Sequence, residues 1–277
     1  VSRRQRQMCI RDRILGSGMA ERYHKRFFDL VPLLEGVTFE SQTSAVCGFN
    51  VAGPKSREIL QSLTNASLNT LDFRFMRSKR IELAGIEVAA LRVSFTGDLG
   101  WEVYCKTEDQ KALYIALLET GKEFGACPVG SRALMSMRVE KGYGSWSREY
   151  SPEYWPHEQG MARLCKMDKD FLNKASLQKV LANEPREQMV MLHLDEDAVN
   201  ASNADATGGE PIFKDGLGVG RVTSGTYGYT VGMSLALAMV KGVVPGDEVE
   251  VMVLGQPHKA KILHEPPFDP RGEKLRA

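Results

Sequence analysis

The chain has 277 residues, 43% hydrophobic and 26% charged, which gives it the composition of a globular protein and the length for about two compact bodies. Its 36 Lys and Arg against 35 Asp and Glu leave no bulk field to gather phosphates or hold an anionic bilayer, so nucleic acid and membrane surfaces are poor partners. No apolar run reaches the roughly 18–20 residues that span a bilayer, and the smoothest stretch, Val231–Val240, reads as a buried segment.

Val1–Arg13 packs five arginines without helical or strand periodicity. It reads as a cloning or read-through scar, with a basic targeting arm as the alternative, and disorder is expected. Gly18–Leu34 reads as a short helix ending near Pro32. Val37–Val51 is β-rich, and Ala52-Gly53-Pro54 turns it into a helix through Leu63. Lys79–Leu83 and Glu87–Val93 form a hairpin about Ala84-Gly85, and the second strand leads into Ser94–Tyr104. Glu108–Phe124 and Ser131–Lys141 carry apolar residues at helical spacing, so two helices are expected to pack on the hairpin sheet in an α+β layer.

An aromatic and proline-rich loop, Tyr143–Pro156, is followed by a short helix around Leu177–Ala182. A domain boundary is expected at Ala182–Arg186. Beyond it, strands are expected at Gln188–Leu194, Glu210–Phe213, Gly218–Thr223, Ser234–Met239, Glu248–Val253 and Lys259–Leu263. They are separated by Asp215-Gly216, Gly225 and Pro245-Gly246, the spacing of a small β-barrel or sandwich. Asn200–Gly209 is a polar loop with little to bury.

Cys9, Cys47, Cys105, Cys127 and Cys165 are scattered without metal-ligand spacing, so no metal site is expected. Reduced, buried thiols and a cytoplasmic location follow from that usage. His157 and His193 each stand apart from a spaced carboxylate or nucleophile and read as structural.

The most informative segment is Arg92–Tyr104, RVSFTGDLGWEVY. Glycines flank Asp98 at a break in a strand pattern, and the two-residue period then puts Glu102 and Tyr104 on one face. A carboxylate placed there accepts two charge-assisted hydrogen bonds from a heterocycle with adjacent N–H and amino donors. On composition alone, an acidic strand residue reads equally as a solvated edge position.

The segment is similar to the folate-binding signature of glycine cleavage T-proteins and of dimethylglycine dehydrogenases, which usually have Glu where this chain has Asp98. AGPKSREIL at Ala52–Leu60, MRVEKG at Met137–Gly142, the Pro156-x-Glu158-x-Gly160 run and RVTSGTYGYTVGMSLALAMV at Arg221–Val240 resemble further family segments in the expected order. KGYGSWSRE at Lys141–Glu149 points to the branch fused to dimethylglycine and sarcosine dehydrogenases.

That resemblance implies an α+β fold: a scar at 1–13, a folate-binding aminomethyltransferase domain at 14–184 truncated on its amino-terminal side, and a T-protein-type carboxy-terminal β-barrel at 185–277. It implies tetrahydrofolate as cofactor, with Glu102 on the pterin ring, Tyr104 beside it, and Tyr143 and Trp146 lining the cavity. Arg138 either meets the glutamate tail of folate or pairs internally with Glu140 or another acid. Arg132 is the substitute where T-proteins carry a tail-binding arginine and this chain has Leu134. Tyr229 stands where many relatives have His, and Asn173 where Gly is common.

No catalytic residue is assigned, because the family's one-carbon-orienting aspartate lies in sequence that precedes the matching region. FAD is expected only in a missing amino-terminal oxidase domain, which with folate and a small methylamine substrate completes the partners. The chain is therefore expected to be a fragment, inactive by itself. Its full-length enzyme would capture a one-carbon unit as 5,10-methylenetetrahydrofolate. A vestigial or structural folate fold, or a folate-dependent demethylase relative, are the alternatives.

Overall fold

The computed structural model describes residues 20–30, 38–146, 148–195 and 204–277, and it divides into two compact units, Val1–Val129 with Arg271–Ala277, and Gly130–Pro270. The basic arm, Val31–Val37 and residues 200–203 of the polar loop lie outside the described residues.

The first unit opens with α1 (Ala20–Leu30) and continues through β1 (Val46–Ala52), α2 (Ser56–Gln61), β2 (Ser78–Leu83), β3 (Ile86–Leu91), β4 (Gly100–Lys106) and α3 (Gln110–Lys122). The four strands form one antiparallel sheet in the order β1-β4-β3-β2. Alternation along β4 sends Trp101, Val103 and Cys105 into a core with Leu60 of α2 and Leu113 and Leu117 of α3. Each large apolar side chain buried there contributes roughly 1.5–3 kcal/mol. Glu102 and Tyr104 are left on the opposite face, half-buried.

After α3 the chain builds the second unit and returns to the first as α6 (Glu273–Arg276). There the main-chain oxygen of Ala277 accepts hydrogen bonds from Arg57 Nη2 at 2.6 Å, Thr70 Oγ1 at 2.7 Å and Arg92 Nη2. Arg92 is fully buried, with its guanidinium over the Trp101 ring. Burial first, and then the neighbouring Arg57 charge, hold Arg92 below the ordinary arginine value.

The second unit contains α4 (Ser131–Glu140), α5 (Lys174–Leu181) and a closed antiparallel barrel of β5 (Gln188–Leu194), β6 (Pro211–Lys214), β7 (Leu217–Gly228), β8 (Met233–Val240), β9 (Glu248–Val253) and β10 (Gln256–Ile262), in the order β10-β5-β8-β7-β6-β9. The smooth apolar run is β8, covered on both faces. Ala236, Ala238 and Val240 join the barrel interior, while Leu235 and Leu237 pack with Val139 of α4 and Met191 of β5. The helix expected to cover the hairpin sheet therefore lies on barrel strands, and Ser136 Oγ donates to the Tyr227 carbonyl at 2.7 Å.

Gly225 is not a separator. It sits inside β7, beyond a bulge between Val222 and Ser224, where a Cβ would stand 2.3 Å from the Ala206 carbonyl oxygen. Asn173, the substitute for a common glycine, has φ 64° at the start of α5, a left-handed conformation that asparagine tolerates better than most residues.

Three hairpins turn on two residues of positive φ: Ala84-Gly85, Asp215-Gly216 and Leu254-Gly255. This is the pairing that right-twisted strands favour, with Asn or Asp preferred in the first position. Leu254 is 79% exposed at φ 49°, so it takes the left-handed conformation with little packing in return. Leu254→Asn is expected to stabilise the barrel by about 1 kcal/mol, measured as a higher denaturation midpoint at unchanged m-value.

The segment leading into the barrel is fixed by Glu158. Its carboxylate accepts Arg186 Nε at 2.8 Å and Nη2 at 2.7 Å, and the amides of Trp155 and Arg186 at 2.8 and 2.9 Å. The Arg186 hydrogen bonds, against the opposing effect of burial, hold the carboxyl at about 2, below its ordinary 4.5. A depressed folded value means that the contribution is complete above pH 4.5 and is lost as pH falls toward 2. Because Arg186 is half-exposed, roughly 1–2 kcal/mol is expected to disappear across that window. Glu158→Gln should flatten that part of the stability–pH profile.

Candidate functional site

Between β3 and β4 the chain bends through residues 92–99, with Gly97 at φ 89° and its amide held by Ser94 Oγ at 2.9 Å. The bend restarts the strand so that Glu102 and Tyr104 share the face away from the core, as the two-residue period requires. Tyr104 donates its phenolic hydrogen to Glu102 Oε2 at 2.8 Å. Glu102 is directly opposite Asn50 of β1 on one side and Leu91 of β3 on the other. The flanking bonds Thr107 N–H to Ala45 and Gly53 N–H to Leu99 put odd-numbered β1 residues in hydrogen-bonded pairs. Asn50 and Glu102 thus form a non-hydrogen-bonded pair, with Cα atoms about 4.5 Å apart and side chains in reach of one another.

Tyr104 lies across Gly48, its partner in the ladder: a Cβ at position 48 would stand 2.6 Å from Tyr104 Cε1. The ring therefore needs a residue without a side chain beneath it. Gly48 and Asn50 are the members of this cluster that sequence reasoning missed. They come from β1, more than fifty residues upstream of β4, and only the register of the pair brings them to Glu102.

Arg138 belongs to a different arrangement. Its guanidinium is 1% exposed and donates to Glu149 Oε2 at 3.0 Å, to the Tyr143 carbonyl at 3.0 Å and to Ser224 Oγ at 2.6 Å. Ser224 Oγ in turn donates to Glu149 Oε1 at 2.5 Å, and the Ser145 amide to Oε2 at 2.8 Å. Of the two alternatives for Arg138, this is the internal pair, made with Glu149; Glu140 accepts instead from the Thr230 amide at 2.7 Å. Burial would raise the Glu149 carboxyl, but the Ser224 hydroxyl and the Arg138 charge outweigh it and hold it below the ordinary value. Burial lowers Arg138 against the pull of Glu149, yet arginine remains protonated because its ordinary value is far above neutrality.

Tyr143 and Trp146 are half-buried in the loop that this network anchors, with Lys141 Nζ 5.8 Å from the Tyr143 ring centroid. Arg132 is exposed in the first turn of α4. His157 stacks on Trp155 at 5.7 Å between centroids, and His193 lies on β5, half-buried. Tyr229 is 83% exposed. No group of three or more metal-ligating side chains occurs among the described residues, and no helix there is long and apolar enough to cross a membrane.

Residues 14–169 match the GCVT N-terminal domain, and residues 188–269 match the glycine cleavage T-protein C-terminal barrel domain. The chain belongs to the glycine cleavage T-protein family. Within this family it is 36% identical over 259 residues to dimethylglycine dehydrogenase, mitochondrial, of Homo sapiens, covering 91% of this chain and 29% of that one. It is 34% identical over 239 residues to 4-methylaminobutanoate oxidase (formaldehyde-forming) of Paenarthrobacter nicotinovorans, covering 84% and 28%. It is 30% identical over 257 residues to a probable aminomethyltransferase of Thermococcus kodakarensis, covering 84% and 63%. The chain thus spans less than a third of the length of the dehydrogenase relative. A solved structure of glycine cleavage system aminomethyltransferase T from Bartonella henselae shares the fold, with a TM-score of 0.66 at 20% identity over 79% of this chain and 58% of that one.

Proposed function

We propose that this chain is the tetrahydrofolate-binding, one-carbon (aminomethyl) transfer module of a dimethylglycine or sarcosine dehydrogenase-like enzyme. The reading is carried by one observation: a half-buried carboxylate, Glu102, is steered by Tyr104, whose ring lies over Gly48. Tyr104 occupies Oε2, and among the described residues no protein donor reaches Oε1. A carboxylate so held fits the adjacent N–H and amino donors of a pterin edge, which bind a carboxylate in a bidentate, charge-assisted manner.

When bound, tetrahydrofolate would supply the nucleophilic nitrogens that take up the one-carbon unit, giving 5,10-methylenetetrahydrofolate. The protein's own contribution is to bind and orient. Glu102 fixes the pterin edge, Tyr104 fixes Glu102, and Asn50 adds an amide next to the carboxylate. Arg138 acts by holding the loop from Tyr143 to Glu149. Holding the acceptor in one orientation and excluding water accelerates capture of the one-carbon unit over its escape.

Oxidation of the methylamine, with dimethylglycine or sarcosine as the substrate class, is assigned to an FAD-bearing oxidase domain fused to this module in the complete enzyme. A cytoplasmic location is part of the same proposal, although the human relative is named as mitochondrial.

Calorimetric titration of the chain with tetrahydrofolate under reducing conditions tests the reading. Saturable one-site binding is the expected result. A folded chain that releases no binding heat and gives no fluorescence change would overturn it.

A further inference from the structure

On the core side of the sheet that carries Glu102, two thiols face each other across a single rung. Cys47 of β1 and Cys105 of β4 are ladder partners, and their sulfurs are 3.4 Å apart. The same alternation that makes Asn50–Glu102 a non-hydrogen-bonded pair makes Cys47–Cys105 a hydrogen-bonded one, with Cα atoms about 5.5 Å apart. That separation is inside the range of roughly 4.4–6.8 Å that a disulfide spans. The other described cysteines are unbridged as well, but they differ in setting: Cys127 is exposed and Cys165 half-buried, so only Cys105 matches the expectation of a buried thiol.

We propose that Cys47 and Cys105 are an oxidative modification site, forming an intrachain disulfide by exchange with small-molecule disulfides of the glutathione type.

The two cysteines divide the work by exposure. Cys47 is half-buried on the edge strand β1 and meets the oxidant, whereas Cys105 is 3% exposed. Burial first, and then the contact with Cys47, push the Cys105 thiol up to about 12, so it waits as a thiol. The Cys47 thiolate attacks one sulfur of the small disulfide and releases one thiolate, leaving a mixed disulfide at Cys47. Cys105 then gives up its proton and attacks the Cys47 sulfur, and the second small thiol leaves. Two protein thiols become one disulfide, and one small disulfide becomes two small thiols. A sulfur 3.4 Å away makes the second step intramolecular and fast, so the mixed disulfide does not accumulate.

The bridge would tie β1 to β4 one residue from Gly48 and Tyr104. Its formation does not depend on what Glu102 binds.

The folded chain is incubated with oxidised glutathione, quenched in acid, alkylated, digested and mapped by mass spectrometry. The expected result is a linked peptide pair containing Cys47 and Cys105, the loss of two alkylatable thiols, and recovery of both with dithiothreitol. Exposed Cys127 should carry a single glutathione, which shows that the oxidant is active. In Cys105→Ser, the glutathione adduct at Cys47 should persist; in Cys47→Ser, Cys105 should remain alkylatable. Glutathione on Cys127 with Cys47 and Cys105 both still alkylatable, or a stable adduct on Cys47 in the unsubstituted chain, would overturn the proposal. Circular dichroism of each variant confirms that the comparison is made on folded protein.

Discussion

Glu149→Ala is expected to destabilise the second unit by roughly 3–5 kcal/mol, the range for removing one partner of a buried ion pair. The carboxylate is fully buried and satisfies Arg138, Ser224 and the Ser145 amide together. Its removal leaves a guanidinium that is 1% exposed without a counter-charge, and an amide without an acceptor. Arg138 keeps the Tyr143 carbonyl and the Ser224 hydroxyl, which do not neutralise it. Converting both partners, Arg138→Met with Glu149→Leu, should recover most of the loss, because it is the unpaired charge that costs and not the missing pair. Urea denaturation followed by circular dichroism measures both. A loss below about 1 kcal/mol for Glu149→Ala, the range of surface pairs, would contradict the account of this network.

Glu102→Gln is expected to weaken tetrahydrofolate binding by about 100-fold, from hydrogen bonds to a charged group worth about 1.5–3 kcal/mol each. Glutamine keeps the shape but replaces one acceptor oxygen with a donor that faces the ligand's donors. Tyr104→Phe leaves the carboxylate in place and removes only the bond that steers it, so a smaller loss, about 10-fold, is expected. Gly48→Ala should reproduce the Tyr104→Phe result without touching either polar group, because a methyl there meets the Tyr104 ring. Equal affinity across all four proteins, each shown to be folded, would remove Glu102 from the site.

How much of this was legible in the sequence depends on the range over which each feature is specified. β5 and β9 appear at the residues that alternation marks, Gln188–Leu194 and Glu248–Val253. β7 does not, because Gly225, which reads as punctuation, is a strand residue required by the Ala206 backbone crossing beside it, and no local pattern encodes a crossing. The apolar stripe of α4 announces a buried face but not which sheet it meets, and it lies on the barrel. Glu102 and Tyr104 share a face by the two-residue period alone, so their association is readable. Gly48 and Asn50 join it, and Cys47 meets Cys105 on the opposite face, only through the β1–β4 register, a nonlocal pairing. Likewise, an acid for Arg138 could be expected, but Glu149 sits in an irregular loop with no period to single it out over Glu140, which is nearer in sequence.

Tetrahydrofolate is proposed to rest on the sheet face where Glu102, Tyr104 and Asn50 converge. Peptide-resolved hydrogen exchange with and without tetrahydrofolate locates the ligand directly. Slowed exchange is expected in β1 and β4 around Asn50 and Glu102, and no such slowing in Glu102→Gln. Slowing confined to other segments, with β1 and β4 unchanged at saturating ligand, would contradict it.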